Sequence, residues 1–294
     1  MALRRNGNVR YKLSVNEKKL KIILDSLYAK YNRRGQIPPD PLQFVYKYKT
    51  KADREIAGLL SATLAYGRVE QIENDLKDLF EKIGKSPYEF TINFNSAKRK
   101  TLDSFKHRFN TGRDISDLLE LLKIVLKKHG NIEKFFATGY DSTDSNIIPA
   151  LTNFCNRLYL MHEDRFGYKV SKGFQFLLAS PAKGSVCKRL NMFLRWMVRS
   201  DGVDLGLWKS IDKSKLIVPV DVHMARLCKI LGLYKRKTVT LKAAIEITEN
   251  FRKIVPADPV RYDFALSRIG IIENCTGKLR KECKLCELSG FCFG

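Results

Sequence analysis

No apolar run in this chain approaches the ~18–20 residues that a membrane-spanning helix needs. The opening stretch, MALRRNGNVRYKLSVNEKKL, is basic but has no apolar core behind it, which argues against a secretory signal. Repeats and low-complexity segments are also lacking. A phosphate loop is missing too: IGKSP (83–87) contains Gly-Lys-Ser, but Leu79 stands where such a loop requires glycine. No nucleotide cofactor is therefore expected. Histidine is scarce, and His107, His129, His162 and His223 are too scattered to form a metal-spaced set. His162-Glu163-Asp164 reads as a polar loop without a role, and no Ser/His/Asp or Cys/His arrangement emerges. Acidic residues are few against basic ones, 31 to 54, giving a net charge of +23 and a pI near 9.7. That imbalance favours a polyanionic partner, nucleic acid before an anionic membrane surface.

What is present is helical. Hydrophobic residues make up 44% and charged residues 29%, an ordinary balance for a globular chain. In SDLLELLKIVLKKH (116–129), Leu118, Leu119, Leu122, Val125 and Leu126 recur three and four apart, which predicts an amphipathic helix. Residues 53–83 read as two helices broken near Gly67. A helix is expected over 184–199 with Ser185 as N-cap. Another is expected over 220–233 after Pro219, with Asp221 at the cap and Gly232 at the end. A third, over 257–271, uses Asp258 as cap and Pro259 in the first turn. KLIVPV (215–220) is the best strand candidate, and 94–105 and 137–146 read as loops. The expectation is an all-α protein.

Three stretches carry candidate chemistry. Cys275, Cys283, Cys286 and Cys292 follow a C-x7-C-x2-C-x5-C spacing at the C-terminal end. In a reducing compartment, clustered cysteines are metal ligands more often than disulfides. Four thiolates can close the shell of a zinc ion or of a four-iron cluster, and spacing alone leaves both open. Lys278, Arg280, Lys281 and Lys284 surround them and would favour thiolates. Cys155, Cys187 and Cys228 lie on helical stretches as small apolar residues. Asp221 in VPVDVHMARL is a capping carboxylate, and one that faces a cleft can also accept a proton or stabilise a cation. The Pro/Gly turn and helix start at 180–199 offer backbone N–H groups to a phosphate, with Lys183, Lys188, Arg189, Arg195 and Arg199 adding positive charge.

Taken together, these pieces resemble the helix-hairpin-helix DNA glycosylase superfamily. IGIIENCTGKLRKECKLCELSGFC (269–292) is similar to the iron–sulfur loop of endonuclease III, with its first spacing one residue longer. VPVDVHM (218–224) is similar to the catalytic-aspartate segment, closest to the form in 8-oxoguanine glycosylases. EIAGLLSATLAYGRVEQIENDL (55–76) is similar to an early helix and turn of endonuclease III. The resemblance, to a divergent bacterial branch, implies two helical domains flanking a DNA cleft into which the target nucleotide is flipped. It implies N-terminal helices over 1–50 packing with the C-terminal domain, a barrel domain over 51–205 with its hairpin at 180–199, and a catalytic-Asp and cluster domain over 206–294 with the cluster loop at 275–292. Asp221 and Lys188 would be catalytic, and the four tail cysteines would ligate a [4Fe-4S] cluster, with zinc as the alternative. Lys183, Gly184, Ser185, Arg189, Lys278, Arg280 and Lys281 would contact double-stranded DNA. The implied protein is a cytoplasmic, nucleoid-associated monomer that excises a damaged base, with or without lyase activity. A non-catalytic nucleic-acid binder on the same scaffold is the alternative.

The departures are specific. The usual L-P-G-V-G hairpin becomes S-P-A-K-G (180–184), Val186 replaces the usual lysine, and Thr63 replaces the glutamine after L-L-S-A. Lys188 stands 33 residues before Asp221, a long gap similar to that of archaeal 8-oxoguanine glycosylases.

Overall fold

The computed structural model describes residues 13–273, 275–278 and 280–292. Residues 1–12 of the expected N-terminal segment, Leu279 of the expected cluster loop, and Asn274, Phe293 and Gly294 of the expected 206–294 domain lie outside the described residues. The N-terminal part contains α1 (Val15–Tyr31), α2 (Leu42–Val45), α3 (Lys51–Thr63), α4 (Val69–Ile83), α5 (Pro87–Ile92) and α6 (Ser96–Thr101). A two-stranded hairpin, β1 (Lys106–His107) and β2 (Asn110–Thr111), leads into α7 (Gly112–His129), α8 (Ile132–Ala137), α9 (Ile148–Phe166) and α10 (Lys172–Leu177). The chain continues with α11 (Lys188–Val198), α12 (Val222–Ile230), α13 (Leu241–Ile254), α14 (Asp263–Ile271) and α15 (Ser289–Cys292). The all-α expectation holds, and no described helix is long and apolar enough to cross a membrane.

The core is organised around α3. Ile56, Ala57, Leu59, Leu60 and Ala62 are all fully buried, because the helix meets α2, α5 and α11 at once. Gly58 makes the α3–α11 crossing close. A Cβ there would lie 2.8 Å from Met197 Cε and 3.4 Å from the Phe193 ring. Each such buried Leu or Ile contributes about 1.5–3 kcal/mol. Glu55, on the same helix, is buried and works as a polar tie. It accepts from Trp208 Nε1 at 2.6 Å and from the Ile132 and Glu133 N–H groups, both at 3.3 Å, at the start of α8.

The predicted break near Gly67 falls between α3 and α4, where Gly67 has φ +102°. Several local expectations fail for identifiable reasons. Residues 215–220 form no strand: Lys215 ends a 3-10 turn (Lys213–Lys215), and in the stretch that follows Val218 N–H donates to the Thr248 hydroxyl at 3.1 Å. Residues 94–105 contain α6, capped by Asn95. His162 lies inside α9 and is buried, its Nε2 at 3.3 Å from Asp117. Ser185 does not cap α11. Cys187 takes that position with φ +48°, while the Ser185 hydroxyl accepts from Cys187 N–H at 3.2 Å. Asp258 caps nothing either, because its carboxylate is taken by Arg199 Nε at 2.9 and 3.1 Å, and α14 starts at Asp263.

Candidate active site

The two arginines of α11 lock the helices around the site. Arg195 pairs with Asp204 at 3.1 Å and with Asp263 on α14. Arg199 pairs with Asp201 at 2.8 Å, Asp258 at 2.9 Å and Asp204. Both arginines and their carboxylate partners are buried or nearly so. These arginines are therefore internal ties, and not phosphate contacts as their place in the sequence suggested. Burial pushes the Asp263 carboxyl up to about 6, against the pull of the Arg195 guanidinium beside it.

Above this network lies a cavity of about 410 Å³ lined by Lys188, Arg189, Asp221, Tyr66, Asp263 and Arg268, among others. Asp221 behaves as its sequence position predicts. Its Oδ1 accepts from the His223 and Met224 N–H groups at 3.0 and 2.8 Å, capping α12. Among the described residues its second oxygen accepts no hydrogen bond, which leaves it free toward the cavity. Lys188, the first residue of α11, reaches across to the Ala65 carbonyl at 3.5 Å. A close crossing holds the α12 end of the site in place: a Cβ on Gly270 of α14 would stand 2.5 Å from His223 Cβ. Sequence reasoning missed Tyr66, Asp263 and Arg268. Only the YGR turn after α3 and the true start of α14 would have signalled them.

The other predicted contacts are dispersed. Lys183 is exposed and donates to Gln175 at 2.7 Å, Gly184 turns the chain with φ +77°, and Ser185 is half-buried. The Arg189 guanidinium lies 4.8 Å from the Tyr66 ring and 4.4 Å from that of Phe176, donating to the Thr63 and Phe176 carbonyls. It forms cavity wall, and burial lowers its basicity to about 10. Lys278, Arg280 and Lys281 are exposed on the tail.

The four tail cysteines are half-buried, whereas Cys155, Cys187 and Cys228 are buried in helical packing. Cys275, Cys283 and Cys286 line a second cavity of about 320 Å³ with Leu27, Tyr31 and Ile269. Burial, then the neighbouring thiols, raise the Cys292 thiol, and Cys275 and Cys283 add to the rise at Cys286. That is opposite to the effect expected of the surrounding cations. Cys283 Sγ accepts from Arg280 N–H at 3.4 Å. Among the described residues, no three His, Cys, Asp or Glu side chains converge at metal-binding distance. Three of the four thiols, those of Cys275, Cys283 and Cys286, face one cavity and are of the donor type that a thiolate-bound group takes.

The described residues thus form an all-α fold in which Lys188 and Asp221 line one cavity. Over residues 40–272, well over half its length, the chain matches DUF2400, described as a protein of unknown function, and it belongs to that family. No curated protein and no solved structure matches it.

Proposed function

We propose that this protein is a DNA base-excision glycosylase of the helix-hairpin-helix type, acting on a damaged base flipped out of the duplex. One observation carries the reading: Lys188 and Asp221, far apart in sequence, line the same cavity at two helix starts. The +23 net charge supports a nucleic-acid partner.

In this reading Asp221 takes a proton from the Lys188 ammonium through its unpartnered oxygen. The freed amine attacks C1′ of the flipped nucleotide as the C1′–N bond breaks, and the base departs with its bonding pair and takes up a proton. Loss of the ring oxygen from C1′ then gives a Schiff base, from which elimination of the 3′ phosphate cuts the strand. Where the amine falls short of C1′, Asp221 activates water instead, and the product is an abasic site. Cys275, Cys283, Cys286 and Cys292 would hold a [4Fe-4S] cluster, which would tie the tail together and present its basic residues to the phosphate backbone.

Borohydride trapping on duplexes carrying 8-oxoguanine, oxidised pyrimidines, uracil or an abasic site tests the reading, with Lys188→Gln and Asp221→Asn alongside. An adduct present in wild type and lost in Lys188→Gln establishes lysine chemistry. Alkali-revealed abasic sites without an adduct indicate the water route. Binding with neither product leaves a non-catalytic scaffold and sinks the enzyme assignment.

A further inference from the structure

The β1–β2 hairpin packs on Tyr66 and Gly67, two residues of the cavity lining, and its build exceeds what a surface turn requires. Its base is buried and fixed. His107 Nδ1 lies 2.6 Å from Asp75 and its Nε2 lies 3.1 Å from the Tyr66 carbonyl, while Asn110 donates to the Gly173 carbonyl at 2.8 Å. The Tyr66 hydroxyl sits 2.9 Å from the His107 carbonyl and 2.8 Å from Asn110 Oδ1. Its two-residue tip, Arg108-Phe109, holds Arg108 at φ +50°, a conformation costly for a side chain with a Cβ.

That rigid tip displays an aromatic ring. Phe109 is 63% exposed, and its ring is parallel to that of Tyr66, with 1° between planes and 6.3 Å between centroids. Phe176 closes the group edge-on to both rings, at 4.8 and 5.4 Å. Phe109 is thus held by two aromatic neighbours, with the Arg108 guanidinium 5.5 Å from its ring centroid, and still keeps most of its surface in solvent. Arg68, Gln71, Lys106 and Arg108 line a notch next to it, and among the described residues none of its three cations has an ion-pair partner. A lone exposed phenylalanine is ordinary. One on an anchored, strained turn beside a notch of unpaired cations is a site for a flat ring that carries a phosphate.

We propose that the Arg108–Phe109 tip docks a nucleotide outside the cavity, stacking an unpaired base on Phe109 and holding its phosphate in the Arg68/Lys106/Arg108 notch. The inference rests on the nucleic-acid-binding part of the proposed function and not on the excision chemistry. Stacking on an aromatic side chain tolerates every base, and each stacked base strengthens binding substantially.

The test uses two duplexes, one with a single bulged 2-aminopurine and one fully paired, titrated with the full-length protein. Wild type should quench the bulged base. Phe109→Ala should lose the quenching and bind the bulged duplex about tenfold more weakly, while its affinity for the paired duplex stays within about twofold. Phe109→Trp should restore binding, with tryptophan emission falling on saturation. The Arg68→Ala/Lys106→Ala pair should weaken binding to both duplexes and lower the salt slope by about 2. Quenching unchanged in Phe109→Ala, or tryptophan emission unmoved at saturation in Phe109→Trp, overturns the proposal. Quenching by a wild-type protein that excises nothing overturns the glycosylase reading alone. Excision that persists while Phe109→Ala quenches like wild type overturns only the docking site.

Discussion

Arg195 on α11 and Asp263 at the first position of α14 are joined in a buried ion pair beneath the cavity that holds Lys188 and Asp221. Removing Asp263 takes from the buried Arg195 one of its two counterions and leaves it Asp204 alone. Asp263→Ala should therefore cost about 3–5 kcal/mol of stability in urea denaturation. Adding Arg195→Met should recover part of that loss. A loss below ~1 kcal/mol for the single variant would show that the pair does not tie the helices.

Asp221 both caps a helix and faces the cavity, and two substitutions separate these roles. Asparagine caps as well as aspartate, so Asp221→Asn should melt within about 0.5 kcal/mol of wild type, whereas Asp221→Ala should lose about 1 kcal/mol. Under the proposed function both should lose excision by at least about a hundredfold. Equal activity in wild type and Asp221→Asn would reduce this residue to a cap.

Gly270 permits the α12–α14 crossing that positions Asp221. The facing atom is His223 Cβ, which cannot swing aside as the end of a long side chain can. Gly270→Ala should therefore force the helices apart, at a cost of about 1–3 kcal/mol in thermal or urea melts. A variant as stable as wild type would place the helices farther apart than the structure has them.

Glu133 sets an acid limit on stability. Burial opposes its charge, but Lys51 at 2.6 Å and the Ser210 and Lys209 N–H groups outweigh it, so its carboxyl titrates below the usual glutamate range. A depressed pKa in the folded state contributes stability that is present above the unfolded value, about 4.3, and lost as pH falls through the folded one. Urea midpoints should drop as pH goes from about 5 to 3, and Glu133→Gln should flatten that drop. An identical pH dependence in the variant would exclude Glu133 as its source.

The proposed cluster makes a prediction that colour can read. Protein purified without oxygen should be brown, absorbing near ~400 nm, and should contain iron. Serine at Cys275, Cys283, Cys286 or Cys292 should bleach it, whereas Cys155→Ala should not. Colourless protein containing zinc would assign the tail to the d¹⁰ metal instead.

Helix existence was legible where the apolar period was long, as in α7, and where a carboxylate cap followed proline, as at Asp221. The starts of α11 and α14 were not, because tertiary contacts override the local signal there. Cys187 adopts a left-handed backbone that no propensity anticipates, and Asp258 serves Arg199 where sequence alone suggests a cap. Lys188 and Asp221 could be picked out individually, but their shared cavity depends on helix crossings that only the folded chain reveals. The hairpin at Lys106–Thr111 escaped notice because four strand residues leave no period to read.

The first described helix, α1, packs on α13 and α14 near the other end of the chain. Asp25 accepts from the Tyr262 hydroxyl at 2.7 Å, Tyr31 donates to Glu273 at 2.8 Å, and Lys30 pairs with Glu287 at 3.2 Å. On the ribosome, α1 emerges well before α13 and α14, so its packing with them must wait for more than two hundred further residues. Such long-range closure is slow compared with local helix pairing. Synthesis stalled before α13 would leave α1, with its buried Leu20, Leu24 and Leu27, without either of these partners.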